Sequence, residues 1–321
     1  MSQLSSTSAA RAPRGRRGAI AIAALFAALA APRAAGAYSY GAGGIGDPCH
    51  ERITWWALRQ VRTDLGPVTA SPPANDEDEA LADDLTFRVP SDVSDRAGLA
   101  LLLGVRDNDL KGLGGRDADS LTFIHGDPDL QLEHCLRRPE HDEPGGSEAA
   151  LADCRGFIKE RALQALEGLN EAGEVDYGKQ VPFEVTLSIR GQLDVDLPLF
   201  YVRMGQALHA LQDGFSHTLR TPDGLRVTSV LNFIDEVDGT REESRDGPAH
   251  LSGMDRCDVD DELRVLRVSL TEQATIELLR AALDPALARA QKEAAIDAVL
   301  ATYFSYEPGC SLANGWCDAP E

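Results

Sequence analysis

The stretch "GQALHALQDGFSHTL", residues 205–219, sets His209, Asp213 and His217 at intervals of four inside an apolar run. At about 100° per residue, each step of four rotates a helical side chain by about 40°, so these three share one narrow sector. Met204, Ala207, Leu208, Leu211 and Phe215 fall on a separate, broader sector suited to a core. Gly205, one turn before His209, is expected to leave space above the polar sector. The stretch reads as a helix with one packing face and one polar but enclosed face. Burying imidazole and carboxylate groups is costly unless something compensates them. Neutral imidazole nitrogens and carboxylate oxygens are common zinc ligands outside thiolate sites. Three ligands at this spacing span too far for one ion, so the pattern predicts two or more neighbouring metals with Asp213 near the centre. The competing reading is a helix with surface histidines, or a buried His–Asp hydrogen bond.

The chain around this helix has 321 residues and 43% hydrophobic content, enough for a sizeable core. Residues 1–37 read as a secretory signal peptide: "RAPRGRR" is a basic n-region, "GAIAIAALFAALAA" an apolar run short for a bilayer span, and "AGA" at 35–37 a small-residue cleavage site. The mature chain is then expected to start at Tyr38, with no transmembrane anchor, and to be secreted or to reside in the periplasm or cell envelope. Five of the 31 basic residues and none of the 52 acidic ones lie in the leader, which takes the net charge from −21 to −26. So acidic a chain has no general attraction for phosphate backbones or anionic lipid surfaces. An anionic substrate would need a local positive charge, such as a metal. The six cysteines, Cys49, Cys135, Cys154, Cys257, Cys310 and Cys317, all lie beyond the leader. Export favours disulfides, and of the 15 possible pairings the local loops 135–154 and 310–317, leaving 49 with 257, are favoured.

The remaining pattern is mostly helical. "DPCHERITWWALRQV" starts a helix with Asp47 as N-cap and Pro48 in its first position, which puts His50 in the first turn. "DVSDRAGLALLLG" reads as a short buried helix that Gly104 could terminate. "SEAALADCRGFIKERALQALEGLNEAG" is an amphipathic helix starting at Ser147, and helices over roughly 260–283 and 286–305 flank Pro285. In "VPFEVTLSIR" Val181, Phe183, Val185, Leu187 and Ile189 alternate with polar residues, the strand period. With "GQ" as the turn into "LDVDL", a small β-hairpin is expected over 181–197.

Taken in order, "PCHERIT", "GVRDNDL", "LTFIHGD", "LHALQDGFSH" and "RDGPAHLSGMDRC" resemble the zinc-dependent phospholipase C superfamily, which includes secreted single-strand nucleases and heterokaryon-incompatibility proteins. The resemblance implies a mainly α, single helical domain over 38–321 with loop insertions and a small β-hairpin insertion. It implies zinc, two or three ions. The N-terminal Tyr38 would bind through its α-amine and carbonyl, with His50 beside it. Asp107 would stand near the metals as general base, with Asp109 the alternative in "DND". His125, His209 and Asp213 would hold the central metals, Asp213 bridging two of them. His217 would open a further site with His250. The family places a carboxylate four residues after that histidine, but Met254 stands there, so Asp255 or Asp246 would have to serve. The segment 218–249 is unusually long. His134 and His141 match no family position and read as structural or surface residues.

The activity implied is that of an exported phospholipase C-like hydrolase that cleaves a phosphodiester with metal-activated water. A phospholipid substrate is slightly favoured over nucleic acid, because no basic stripe interleaved with aromatics appears. The alternatives are a secreted nuclease, or a non-catalytic envelope protein of the same fold stabilised by metals and disulfides. The oligomeric state is not legible.

Overall fold

A computed structural model describes residues 48–66, 71–115, 123–249, 254–258 and 262–318. The expected leader, its cleavage after Ala37, the Tyr38 ligand, the Asp47 cap and the His250 ligand lie outside these residues. The described chain is mainly helical. It comprises α1 (Cys49–Leu65), α2 (Asp76–Asp83), α3 (Arg96–Leu110), α4 (Gly146–Glu167), α5 (Leu199–Ser216), the short α6 (Phe233–Asp238) and α7 (Glu243–Asp246), α8 (Glu262–Leu283) and α9 (Arg289–Tyr303). One core, running from Trp55 in α1 to Phe304 after α9, draws on every helix of fifteen or more residues. Its centre is α5, which packs chiefly on α3 and α4 and is almost wholly buried.

Two glycines make the α3–α5 crossing close. A Cβ on Gly104 would lie 2.4 Å from the carbonyl oxygen of Val202, and one on Gly205 would lie 2.4 Å from that of Leu101. Gly104 therefore continues α3 instead of ending it, because backbone approaches where a side chain would stand. Gly205 likewise faces α3 and leaves no space above the polar sector, contrary to the sequence reading. The helix runs on to Lys111, a left-handed C-cap, so Asp107 and Asp109 sit on its last turn with their directions set by helical phase.

Asp95 starts α3. Its Oδ1 accepts from the backbone N–H of Gly98 at 2.8 Å, and its carboxylate takes both Arg62 Nη groups at 2.7 and 3.0 Å. Burial works against ionisation here, and the Arg62 and Gly98 hydrogen bonds outweigh it, holding the carboxyl below its ordinary value. A depressed carboxyl contributes stability above its unfolded pKa of about 3.9, lost as pH falls through the lower folded value. Asp95→Asn keeps the cap and loses the charge. It should cost about 1 kcal/mol at pH 7, and the deficit should shrink as urea unfolding is repeated toward pH 3.

The hairpin is present as β1 (Gln180–Leu187) and β2 (Gly191–Pro198), antiparallel from Gln180↔Pro198 to Leu187↔Gly191. Its turn is Ser188–Arg190, earlier than "GQ". Asp84 decides this by accepting from the backbone N–H of Ile189 at 2.8 Å and of Arg190 at 3.3 Å. Ile189 consequently leaves the strand alternation and stands 89% exposed. A second sheet was not foreseen. The strand β3 (Thr218–Arg220) pairs antiparallel with β4 (Arg226–Val230), and β4 pairs in parallel with β5 (Ser305–Tyr306). Much of the long 218–249 segment is thus ordered sheet and short helix.

All three favoured disulfides form: Cys49–Cys257, Cys135–Cys154 and Cys310–Cys317, with Cα–Cα separations of 5.8, 4.9 and 5.4 Å. Three such bonds fit an oxidising, extracellular setting. No helix among the described residues is long and apolar enough to cross a membrane.

Candidate metal centre

Five elements deliver histidines and carboxylates to one buried cluster. The first turn of α1 brings His50, the last turn of α3 brings Asp109, and the helical turn at 123–126 brings His125. A 3₁₀ turn, Pro128–His134, ends in His134, and α5 supplies His209 and Asp213. His50, His134, His209 and Asp213 are fully buried, Asp109 nearly so, and His125 is 9% exposed.

Asp213 organises the cluster by dividing its two oxygens. Oδ2 lies 2.9 Å from His209 Nε2 and 3.0 Å from His134 Nδ1, and those two nitrogens are 3.1 Å apart. Oδ1 turns the other way and lies 3.2 Å from His50 Nε2. A second carboxylate, Asp109, places Oδ1 3.2 Å from His125 Nε2 and 3.6 Å from His209 Nε2. Three overlapping sets result, each with ligand atoms within 4.8 Å of one another: His134, His209 and Asp213; Asp109, His125 and His134; His50, Asp109 and His209.

These donors fit a cation better than they fit one another. Ligand atoms around a tetrahedral zinc with bonds of about 2.0–2.1 Å stand about 3.3 Å apart. The His134, His209 and Asp213 atoms form a triangle of nearly that size. Protons satisfy it poorly, since two N–H groups aimed at one carboxylate oxygen would also face each other at 3.1 Å. A cation would accept all three lone pairs. The buried groups could therefore hold a metal.

No protein-family profile, curated protein or solved structure matches this chain.

The charges around the donors point the same way. Arg106, 1% exposed, donates from Nε and Nη2 to the two oxygens of buried Glu51 and from Nη1 to Asp109 Oδ2 at 2.5 Å. This fixes Asp109 with Oδ1 toward the histidines. Glu51 neutralises Arg106, so Asp109 and Asp213 remain as two enclosed negative charges, and such charges need positive partners. Burial opposes ionisation of Asp213, yet His209, His217 and a hydrogen bond with His134 hold its carboxyl well below the ordinary range. Asp109 is held well below as well, against burial, by His209, His125 and Arg106. Burial lowers His134, whereas at His209 Asp213 and Asp109 overcome burial and raise the pKa.

The structure sorts the other expected ligands. Asp107 faces away: its Oδ2 accepts from Gln206 Nε2 at 2.5 Å, and it lines a small cleft with Phe183 and Thr186. Asp109, two residues on, is the carboxylate that helical phase turns inward. His217 caps α5 instead of extending it, with its N–H on Asp213 O at 2.8 Å. Its Nδ1 donates to the carbonyl of His134 at 2.5 Å, and its Nε2 lies 3.8 Å from Oδ1 of Asp255, which is 1% exposed. Asp246 is elsewhere, beside Asp142 and Asp235, with Arg245 Nη2 at 2.7 Å and Arg137 Nη1 at 3.4 Å. Those arginines offset two of the group's three negative charges.

His134 is the residue that sequence reasoning set aside. It lies at the middle of the cluster because Cys135 takes a left-handed conformation and is tied to Cys154 in α4, which turns the preceding side chain inward. A histidine beside a disulfide cysteine, nine residues after His125, was the available signal. His141 fits the structural reading, with Nδ1 accepting from Arg138 N at 3.1 Å and Nε2 3.2 Å from Asp153.

Proposed function

We propose that the chain is a zinc-dependent phosphodiesterase with the architecture of the phospholipase C and single-strand nuclease superfamily. The observation that carries this reading is the division of Asp213, whose two oxygens address His134 with His209 on one side and His50 on the other. A carboxylate so placed suits a bridge between two neighbouring cations. Such cations supply Lewis-acid neutralisation of phosphoryl charge and activation of a water nucleophile. The residues that would hold them are His134, His209, Asp213, Asp109 and His125 at the centre, with His50 beside Asp213. His217 and Asp255 face each other as half of a further site.

The protein's own contribution is orientation. Arg106 holds the Asp109 carboxylate so that one oxygen faces the histidines, and Asp109, not Asp107, is the carboxylate that would stand near the cations. The centre also reconciles an acidic chain with an anionic substrate, because the cations bring positive charge only where the phosphate is cleaved. Phospholipid stays slightly ahead of nucleic acid as substrate class.

Burial favours a second reading, a non-catalytic protein of the same architecture stabilised by metals and disulfides, since four of the ligands have no exposed surface. One experiment separates the two. Protein purified from an exporting host is expected to carry at least two zinc equivalents by elemental analysis. It should hydrolyse bis-p-nitrophenyl phosphate, phosphatidylcholine or single-stranded DNA, and lose that activity on chelation. Metal content with no hydrolysis of any of the three would favour the structural reading, and absence of bound metal would reject both.

A further inference from the structure

Beneath His50 lies a row of buried side chains that the metal donors do not include. His50 Nδ1 is 2.7 Å from Gln212 Oε1, and Gln212 Nε2 lies 2.8 Å from Thr54 Oγ1 and 3.4 Å from Thr275 Oγ1. Gln212, Thr54 and Thr275 are all fully buried. An amide can be turned either way, so the direction of this row must come from its far end. There Thr275 Oγ1 donates to the backbone carbonyl of Thr271 at 2.7 Å. A carbonyl only accepts, so the one hydroxyl proton of Thr275 is committed and its oxygen can only accept from Gln212. The Gln212 amide nitrogen must therefore face the two threonines and its oxygen must face His50.

We infer that Gln212 is a positioning residue that keeps His50 protonated at Nδ1, so that Nε2, on the side of Asp213, is the nitrogen left to ligate a cation. That nitrogen is the one 3.2 Å from Asp213 Oδ1. An imidazole ligates through an unprotonated nitrogen, and the hydrogen bond made by the other nitrogen sets which one that is. Gln212 sits on α5 between His209 and Asp213, so the helix that supplies two ligands also sets the tautomer of a third from α1. The helix α8 takes part at a distance, because its Thr271 carbonyl starts the row. The proton on Nδ1 stands independently of metal, whereas ligation through Nε2, which in the metal-free chain can instead donate to Asp213, rests on the function proposed above.

The test begins with metal-free, disulfide-intact protein labelled with ¹⁵N-histidine, read by two-bond ¹⁵N–¹H correlation above the titration range of the rings. His50, assigned by its loss in His50→Gln, should show a protonated Nδ1. An unprotonated Nδ1 would overturn the inference whatever the protein binds. The second arm compares zinc affinity of Gln212→Glu, which keeps an acceptor oxygen, with Gln212→Leu, which does not. The leucine variant should hold one zinc equivalent about 10- to 100-fold more weakly, and the glutamate variant should stay near wild type. Equal affinity in both would remove Gln212 from the site while leaving the metal centre intact. If the leucine variant does not fold, Thr275→Val, which frees the amide to turn, should give mixed tautomers at His50. A single Nδ1–H form there would refute the row.

Discussion

Asp213→Ala is expected to abolish the metal centre. Losing even an outer-shell partner of a ligand costs about 10–100-fold in metal affinity. Asp213 faces three imidazoles directly, so the loss should exceed about 100-fold for at least one zinc equivalent, and hydrolysis should fall below detection. The same change is expected to destabilise the metal-free chain. A carboxyl held well below its ordinary pKa contributes stability that is present above the unfolded value and disappears as pH falls through the folded one. Breaking a fully buried charge pair by removing one partner costs about 3–5 kcal/mol. Chelated wild type and chelated variant, compared by urea denaturation at pH 7, should differ by about that amount. Unchanged zinc content by elemental analysis would reject Asp213 as a ligand.

The second large effect lies in the Glu51, Arg106 and Asp109 group, where all three side chains are 0–1% exposed. Arg106→Met leaves two enclosed carboxylates facing each other without a cation and should cost about 3–5 kcal/mol. It should also free Asp109 to rotate, weakening metal binding. The double change Arg106→Met with Glu51→Leu removes one of those carboxylates together with the arginine, so it should recover part of the stability. It should not recover metal affinity, because Asp109 still lacks the hydrogen bond that orients it. Stability and zinc affinity moving together through both variants would contradict that separation.

The helices, the hairpin and the disulfide partners were legible because each rests on a local signal: periodicity, alternation, or loop length between cysteines. The burial of His209 and Asp213 on one enclosed polar face was legible too, since two such side chains one turn apart on one helix show in the spacing itself. What failed was the part that needs one element to meet another. Gly104 looked like a stop signal until Val202 was seen to occupy its side-chain space. The preference for Asp107 over Asp109 in "DND" came from the family resemblance, and helical phase, which turns Asp109 inward, is defined only on a helix that continues past Gly104. His134 was passed over because its direction depends on Cys135 and on a partner nineteen residues away. Asp84, which sets the hairpin turn, acts across about a hundred residues of chain. None of these couplings leaves a periodic trace.

The Cys49–Cys257 bond closes a loop of 208 residues, and its two ends adjoin His50 and Asp255. Chain-entropy estimates put such a closure at about 5 kcal/mol of stabilisation. Its chemical consequence is a sequence of events in the life of the molecule. While these thiols stay reduced in the unfolded chain, the two ends of the loop search a large volume, and neither His50 nor Asp255 is held beside the group it faces in the folded chain, Asp213 or His217. For the proposed metal centre, oxidation is expected to come first and loading second. On the proposed function, the enzyme is expected to stay inactive until it reaches an oxidising environment, and reduction by a phosphine before zinc is added should block loading far more than the same reduction afterwards.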